Sequence, residues 1–139
     1  MVTRKLRRLR DRGAAAVEFA LVVPLLIVLI FGSIEFGLAV NARTMVGNAA
    51  REGVRMASLR YTPADVQAAA LSALSAVSGT KTVTYTCTTP GFSTCNTSAP
   101  PSNSVATVVV TVNYTGITGM FPALTNAKLT GTSYMRIEG

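Results

Sequence analysis

Between Ala14 and Ser33 the chain offers twenty consecutive residues, of which sixteen are Ala, Val, Leu, Ile or Phe. About twenty is the number a helix needs to cross a hydrocarbon layer of about 30 Å. The composition agrees with such a segment. At 49% apolar and only 14% charged residues, the chain is far too hydrophobic to be disordered and too poor in charge for an ordinary cytosolic protein. With 139 residues there is room for one modest domain beyond it.

The formal charge of +7 invites a nucleic-acid reading until the charges are placed. Arg4, Lys5, Arg7, Arg8, Arg10 and Arg12, offset by Asp11, put +5 into residues 1–13 and leave +2 for all the rest. A basic block against an apolar run is a topology signal that keeps the N-terminus in the cytoplasm. Nucleic acid is not expected as a partner, because no basic stripe or aromatic interleaving follows. The expectation is a single-pass protein of the cytoplasmic membrane, in contact with lipid, whose residues beyond about 40 lie outside. A plain signal peptide fits poorly, since the run exceeds the usual 7–15 residues, starts with an acid and lacks a convincing cleavage box.

Two residues in the run are out of character. Pro24 removes a helix hydrogen bond and predicts a bend. Glu18 is costly, on the order of 3 kcal/mol even on lenient insertion scales. One account is that it snorkels to the interface or pairs with Arg12. Another starts from Gly13, which separates the basic block from the grease. Were the chain cut there, the Ala14 ammonium would stand at the positive end of a helix in a poorly solvated place. Glu18, four residues on and about 6 Å along the axis, would be its anion, or that of a neighbouring subunit's ammonium.

Arg12-Gly13 followed by AAAVEFALVVPLL, then FGSIEFG and NAAREGVR, resembles the TadE-like minor pseudopilins of tight-adherence (Flp-type) pili. The likeness covers roughly residues 12–60. The arrangement of Gly13, Glu18 and Phe19 is similar to the prepilin-peptidase site of type IV pilins. The resemblance implies that a membrane aspartyl peptidase removes residues 1–13, that Ala14 becomes the N-terminus, and that Glu18 guides processing or insertion. It implies other pilin or pseudopilin subunits and the pilus assembly platform as partners. Phe19 stands where major Flp pilins have Tyr, and the chain after residue 60 is long for one, so the resemblance is to a minor component.

Past the run, Ala42, Met45, Val46, Ala49, Ala50, Gly53, Val54 and Ala57 recur at steps of three and four, with Asn41, Thr44, Asn48, Arg51, Arg55 and Ser58 opposite. This is an amphipathic helix, read as continuous with the spanning segment to about Arg60, some 47 residues and about 70 Å. The stripe Ala49, Gly53, Ala57 is small enough to admit a close neighbour: the chain's own head or another subunit's helix. Glu35 falls at the outer boundary, where interfacial solvation accounts for it, with a carboxylate facing a partner helix as the other reading.

Thr62-Pro63-Ala64-Asp65 has the capping hydroxyl, first-turn proline and third-position acid of a helix start, predicting a second helix to about Val77 that stops at Ser78-Gly79. Residues 81–88, 105–115 and 130–137 read as strands rich in Thr, Val and Tyr. The expected fold is α+β, a long N-terminal helix carrying a small head with a second helix and about three antiparallel strands. The chain divides into a basic leader (1–13), a spanning segment (14–40), a helical region (41–79) and a β-rich head (80–139). Cys87 and Cys95, eight apart across a Pro-Gly turn in the oxidising compartment, predict a disulfide.

With no histidine and a single acid, Glu138, beyond Gly79, triads and paired carboxylates cannot be assembled. No enzyme, metal, cofactor or small-molecule substrate is expected. Two readings from different classes remain: a pseudopilin processed after Gly13 that acts in pilus assembly, or an uncleaved, anchored envelope protein with a binding head.

Overall fold

The computed structural model describes residues 3–116 and 127–138, with the backbone alone for residues 3–12. Helix α1 runs from Thr3 to Ser58 and α2 from Pro63 to Ser72; β1 is Thr80–Thr88, β2 Val105–Tyr114 and β3 Ala127–Arg136. The α+β class and the three antiparallel strands agree with the sequence. Helix α1 begins ten residues before Gly13, within the basic leader. Lys, Arg and Leu are good helix formers, and a lone glycine weakens a helix without ending it. The helix also continues through Pro24.

The chain forms two compact units, residues 1–36 and 37–139. In the first, from Gly13 to Ile34, every side chain is exposed or half-exposed, including Leu21, Leu25 and Phe31. This part of α1 has no core of its own.

The second unit is built on a meander in the order β1-β2-β3, with both pairs antiparallel. Period-2 alternation in the central strand buries Ala106, Val108, Val110, Val112 and Tyr114 on one face. That face shares a core with Val46, Ala49, Ala50, Val54 and Ala57 of α1 and with Val66, Ala70 and Leu74. The helical region and the β-rich head of the sequence division are thus packed as one body. The opposite face of the sheet carries Thr82, Thr84 and Thr86 in register with Thr111, Val109 and Thr107, and these with Thr130, Thr132 and Tyr134.

Local chemistry sets the element ends. The Thr62 hydroxyl accepts from the Asp65 amide at 3.2 Å, and the Asp65 carboxylate accepts from the Thr62 amide at 3.3 Å, the reciprocal cap expected from the sequence. At the end of α1 the amide of Arg60 donates to the Ala57 carbonyl (3.1 Å) and that of Tyr61 to the Met56 carbonyl (3.2 Å). These are the two bonds of a Schellman motif, with Arg60 (φ 64°) in the left-handed place usually given to glycine. The Arg60 guanidinium donates to the Glu138 carbonyl at 3.0 Å and the Ser102 hydroxyl at 2.7 Å, which ties this turn to the far end of the chain.

Helix α2 stops at Ser72 rather than Val77. The Ser72 hydroxyl donates back to the Ala69 carbonyl, and the following amides of Leu74, Ser75 and Val77 bond three residues back, so the chain tightens. This three-residue spacing still buries Leu74 and Val77. Gly79 (φ 118°) lies against the Asn113 carbonyl, where a Cβ would collide.

Candidate processing and assembly site

Gly13, Ala14, Glu18 and Phe19 all lie on α1 in the first unit, and all are exposed. Ala14, Ala15 and Ala16 favour the helix, so Ala14 and Glu18 are one turn apart, about 6 Å along the axis. Glu18 shares a face with Ala15, Phe19 and Val22, an apolar surface with one carboxylate in it. Glu18 makes no hydrogen bond or ion pair among the described residues. The Arg12 side chain, its expected partner in one reading, lies outside the described residues.

Gly13 has no packing role in the structure. A Cβ there would meet nothing within 4 Å, and glycine inside a helix costs about 1 kcal/mol relative to alanine. The same is true of Gly37 and Gly47 in this helix.

Further along, the Ser33 hydroxyl donates to the Leu29 carbonyl at 2.8 Å, satisfying a polar group inside an apolar stretch without a second element. Glu35 does not meet the expectation of interfacial solvation, for it is 1% exposed. A carboxylate so enclosed must be compensated or neutralised.

The small-residue stripe is occupied from within. Ala49, Gly53 and Ala57 are all buried, and a Cβ on Gly53 would stand 3.0 Å from Val108 Cγ1, 3.3 Å from Ala70 Cβ and 3.6 Å from the Val66 carbonyl oxygen. Of the two partners open from the sequence, the chain's own α2 and β2 take the stripe. These three residues consequently offer no free surface to a neighbouring subunit's helix. The remaining positions segregate as the periodicity indicates, with Asn41, Thr44, Asn48, Arg51 and Arg55 exposed. Ser58 is the exception, buried with its hydroxyl donating to the Arg55 carbonyl.

A close contact that the sequence did not suggest is Gly131 on β3, where a Cβ would lie 2.6 Å from the Val46 carbonyl oxygen and 3.1 Å from Gly47 Cα. Helix and strand backbones touch there. A glycine interrupting the Thr-rich β3 was the available signal.

Cys87 and Cys95 are joined, with Cα atoms 5.1 Å apart, as the spacing predicted. The Arg55–Glu52 ion pair at 2.6 Å is surface-exposed; hydrogen bonding to Arg55 holds the Glu52 carboxyl below its ordinary range. Among the described residues, no three His, Cys, Asp or Glu side chains come together as metal ligands.

The chain has one apolar N-terminal helix long enough to cross a membrane, followed by a small disulfide-bonded α+β unit. Residues 13–55, about a third of the chain, match the family model described as TadE-like protein, the family the sequence resembles. The matched stretch starts at Gly13 and ends within the amphipathic part of α1. Comparison with curated proteins and with solved structures finds no match.

Proposed function

We propose that the chain is a minor pilin-like subunit acting in assembly of a tight-adherence pilus. Its N-terminus lies in the cytoplasm, its apolar helix lies in the inner membrane, and its α+β unit lies outside. A prepilin peptidase trims it between Gly13 and Ala14. The observation that carries this reading is the placement of Gly13, exposed inside the helix at the first residue of the TadE-like match, with the Glu18 carboxylate about one turn further on. A peptidase needs unwound backbone and a narrow residue before the cut, and glycine supplies both. Trimming leaves the Ala14 ammonium beside a carboxylate, Glu18, that is otherwise unpaired among the described residues. Pairing the two, within or between subunits, would remove two exposed charges from an apolar helix face.

The continuity of α1 through the basic block favours a second reading, an uncleaved anchor whose α+β unit binds another envelope component. Intact-mass measurement of the membrane-fraction protein separates the two. The first reading expects a chain beginning at Ala14, lost in a Gly13→Leu variant. A native chain that keeps residues 1–13 in cells with an active peptidase refutes it.

For Glu18→Ala the expected outcome is unchanged unfolding of the α+β unit and a several-fold loss of incorporation into pili, read by quantitative blotting of sheared filaments. Wild-type incorporation of that variant would end the charge-pairing role.

A further inference from the structure

The loop between Cys87 and Cys95 is pinned along its length. The Cys95 amide donates to the Cys87 carbonyl (3.0 Å), the Thr89 amide to the Ser93 carbonyl (2.9 Å), and the Phe92 amide to the Thr89 carbonyl (2.9 Å), while the disulfide closes the base. At the tip Phe92 is 93% exposed with a φ of 61°, a left-handed place where glycine is the unstrained choice. A large apolar ring is thus held in water on a support that has little freedom left to lose on binding. No charge surrounds it, since residues 82–127 contain no Asp, Glu, Lys, Arg or His.

The same unit has an open cleft of about 310 Å³, its mouth included. Leu38, Ala42 and Met45 of α1 line it together with Val77 and Tyr114, and the exposed Ala76 and Ser78 lie at its rim, with no charged side chain among them. Leu38 and Met45 stay half-exposed there. Ligand pockets run upward from about 300 Å³, so a cleft of this size, part of it open solvent, suits a single side chain. A methionine thioether makes favourable contacts with aromatic rings, which selects a ring as that side chain.

The order of the chain places knob and cleft at opposite ends of β1. Ala76 and Ser78 lead into Thr80, whose partner Asn113 adjoins Tyr114, whereas the hairpin follows Thr88 at the other end. Nine residues of strand put about 30 Å between them. A pinned hairpin does not fold back over that distance, so the ring cannot fill the cleft of its own chain. The ring of a second copy, displaced along the strand direction by about this length, can. Such a contact joins two different patches, and each copy that has used its knob still offers its cleft to another.

We propose that copies of this chain associate head to tail, the Phe92 ring of one entering the cleft between Met45 and Tyr114 of the next. A second copy is singled out because this one chain presents both a neutral apolar knob and a neutral apolar cleft, and one contact removes both from water. The contact needs only the folded second unit. A native chain that keeps residues 1–13 would refute trimming at Gly13 and leave this contact standing.

The test uses the full chain purified in detergent, with self-association followed by sedimentation. The wild type should form chains that lengthen with concentration. Phe92→Gly, which lacks the knob, and Ala76→Arg, which sets a charge at the cleft rim, should each weaken self-association by about 30-fold or more, the scale of a binding hot spot. An equimolar mixture of the two should give dimers and nothing longer, because the ring of the Ala76→Arg chain still fits the cleft of the Phe92→Gly chain. Formation of that dimer also shows that both variants are folded; if Ala76→Arg melts below the wild type, Ser78→Arg takes its place. In the cells that produce the chain, benzoylphenylalanine at position 92 should give on illumination an adduct of two copies, with the cross-link in residues 38–45, 76–78 or 114 of the second. The proposal is overturned by a wild type that stays monomeric, by wild-type association of Phe92→Gly, or by a mixture of folded variants that does not pair. An adduct with a different protein or with lipid, or no adduct, overturns it equally.

Discussion

Helix α1 is one element with two kinds of surface. Between Gly13 and Ile34 its side chains are apolar almost all round and none is buried, whereas between Gly37 and Ser58 it separates into a buried face of Val, Ala and Gly and an exposed face with Arg43, Arg51 and Arg55. The difference lies in where each half finds its partner. Leucine and isoleucine repeated without a polar side require an apolar surrounding, each side chain contributing about 1.5–3 kcal/mol when removed from water, and the described residues bury none of them. Alanine and glycine on a single stripe require a close neighbour, and the chain's own sheet supplies it at the contacts of Gly53 with Val108 and Gly131 with Val46. Within one chain, bulky and uniform means an external solvent, while small and one-sided means an internal wall.

The same substitution in the two regions puts that distinction at most risk. Leu74 is fully buried and Leu25 is 63% exposed. Leu74→Ala should destabilise the α+β unit by about 3 kcal/mol, through lost transfer free energy and the cavity left behind, and Leu25→Ala should leave that unfolding unchanged. Thermal unfolding of the intact chain in detergent, followed by near-ultraviolet dichroism of the tyrosines, reads both. Equal losses from the two variants would mean that the first half of α1 is part of the folded core after all.

Periodicity made this contrast legible in advance. The run from Ala14 to Ser33, the stripe from Ala42 to Ala57, the cap at Thr62 and Asp65, the three strands and the disulfide all rest on local spacing, and the folded chain has them. The sequence left open whether the stripe met its own sheet or a neighbour's helix, because small residues announce a close approach without naming who approaches. Three-dimensional facts stayed hidden for the same reason. Glu35 is buried although its sequence neighbours are exposed, Gly131 is needed by a helix residue, Val46, about 85 positions earlier, and Phe92 takes a left-handed position one residue after a glycine that could have held it. The end of α2 was overrun because AAALSALSA suits either an α-helix or the tighter turns that follow Ser72. In the candidate processing site the residues were visible and their roles were not, since cleavage at Gly13 and pairing at Glu18 depend on molecules outside the chain.

A smaller effect is expected from the covalent staple, and it sharpens the contrast by acting on one unit alone. Replacing both Cys87 and Cys95 with serine frees a loop spanning a sequence separation of 8, which on the chain-entropy account removes about 2.5 kcal/mol. Cys87 is buried, and a serine hydroxyl in its place adds a further penalty. Denaturant unfolding should shift by this amount for the α+β unit while helicity of the apolar segment in detergent stays constant. A shift below about 0.5 kcal/mol would show that the backbone bonds of the hairpin hold the loop without the bridge.

The smallest effect concerns a polar atom within the packed unit. The Tyr85 hydroxyl is buried and has no hydrogen-bond partner among the described residues, and burial pushes its pKa up from the ordinary 10.0. A tyrosine whose folded pKa lies above its unfolded value contributes stability that is fully present below about pH 10 and is lost as pH rises through the folded value, because the unfolded chain releases the proton first. Removing an unsatisfied buried hydroxyl while keeping the ring is close to neutral. Tyr85→Phe should therefore match or slightly exceed the wild type at pH 7 and, more tellingly, should lose less stability between pH 9 and pH 11. The wild-type-minus-variant difference isolates this group from every other group the two chains share. Destabilisation by more than about 1 kcal/mol at pH 7 would show instead that the hydroxyl is hydrogen-bonded in solution, and parallel alkaline curves would remove its part in the pH response.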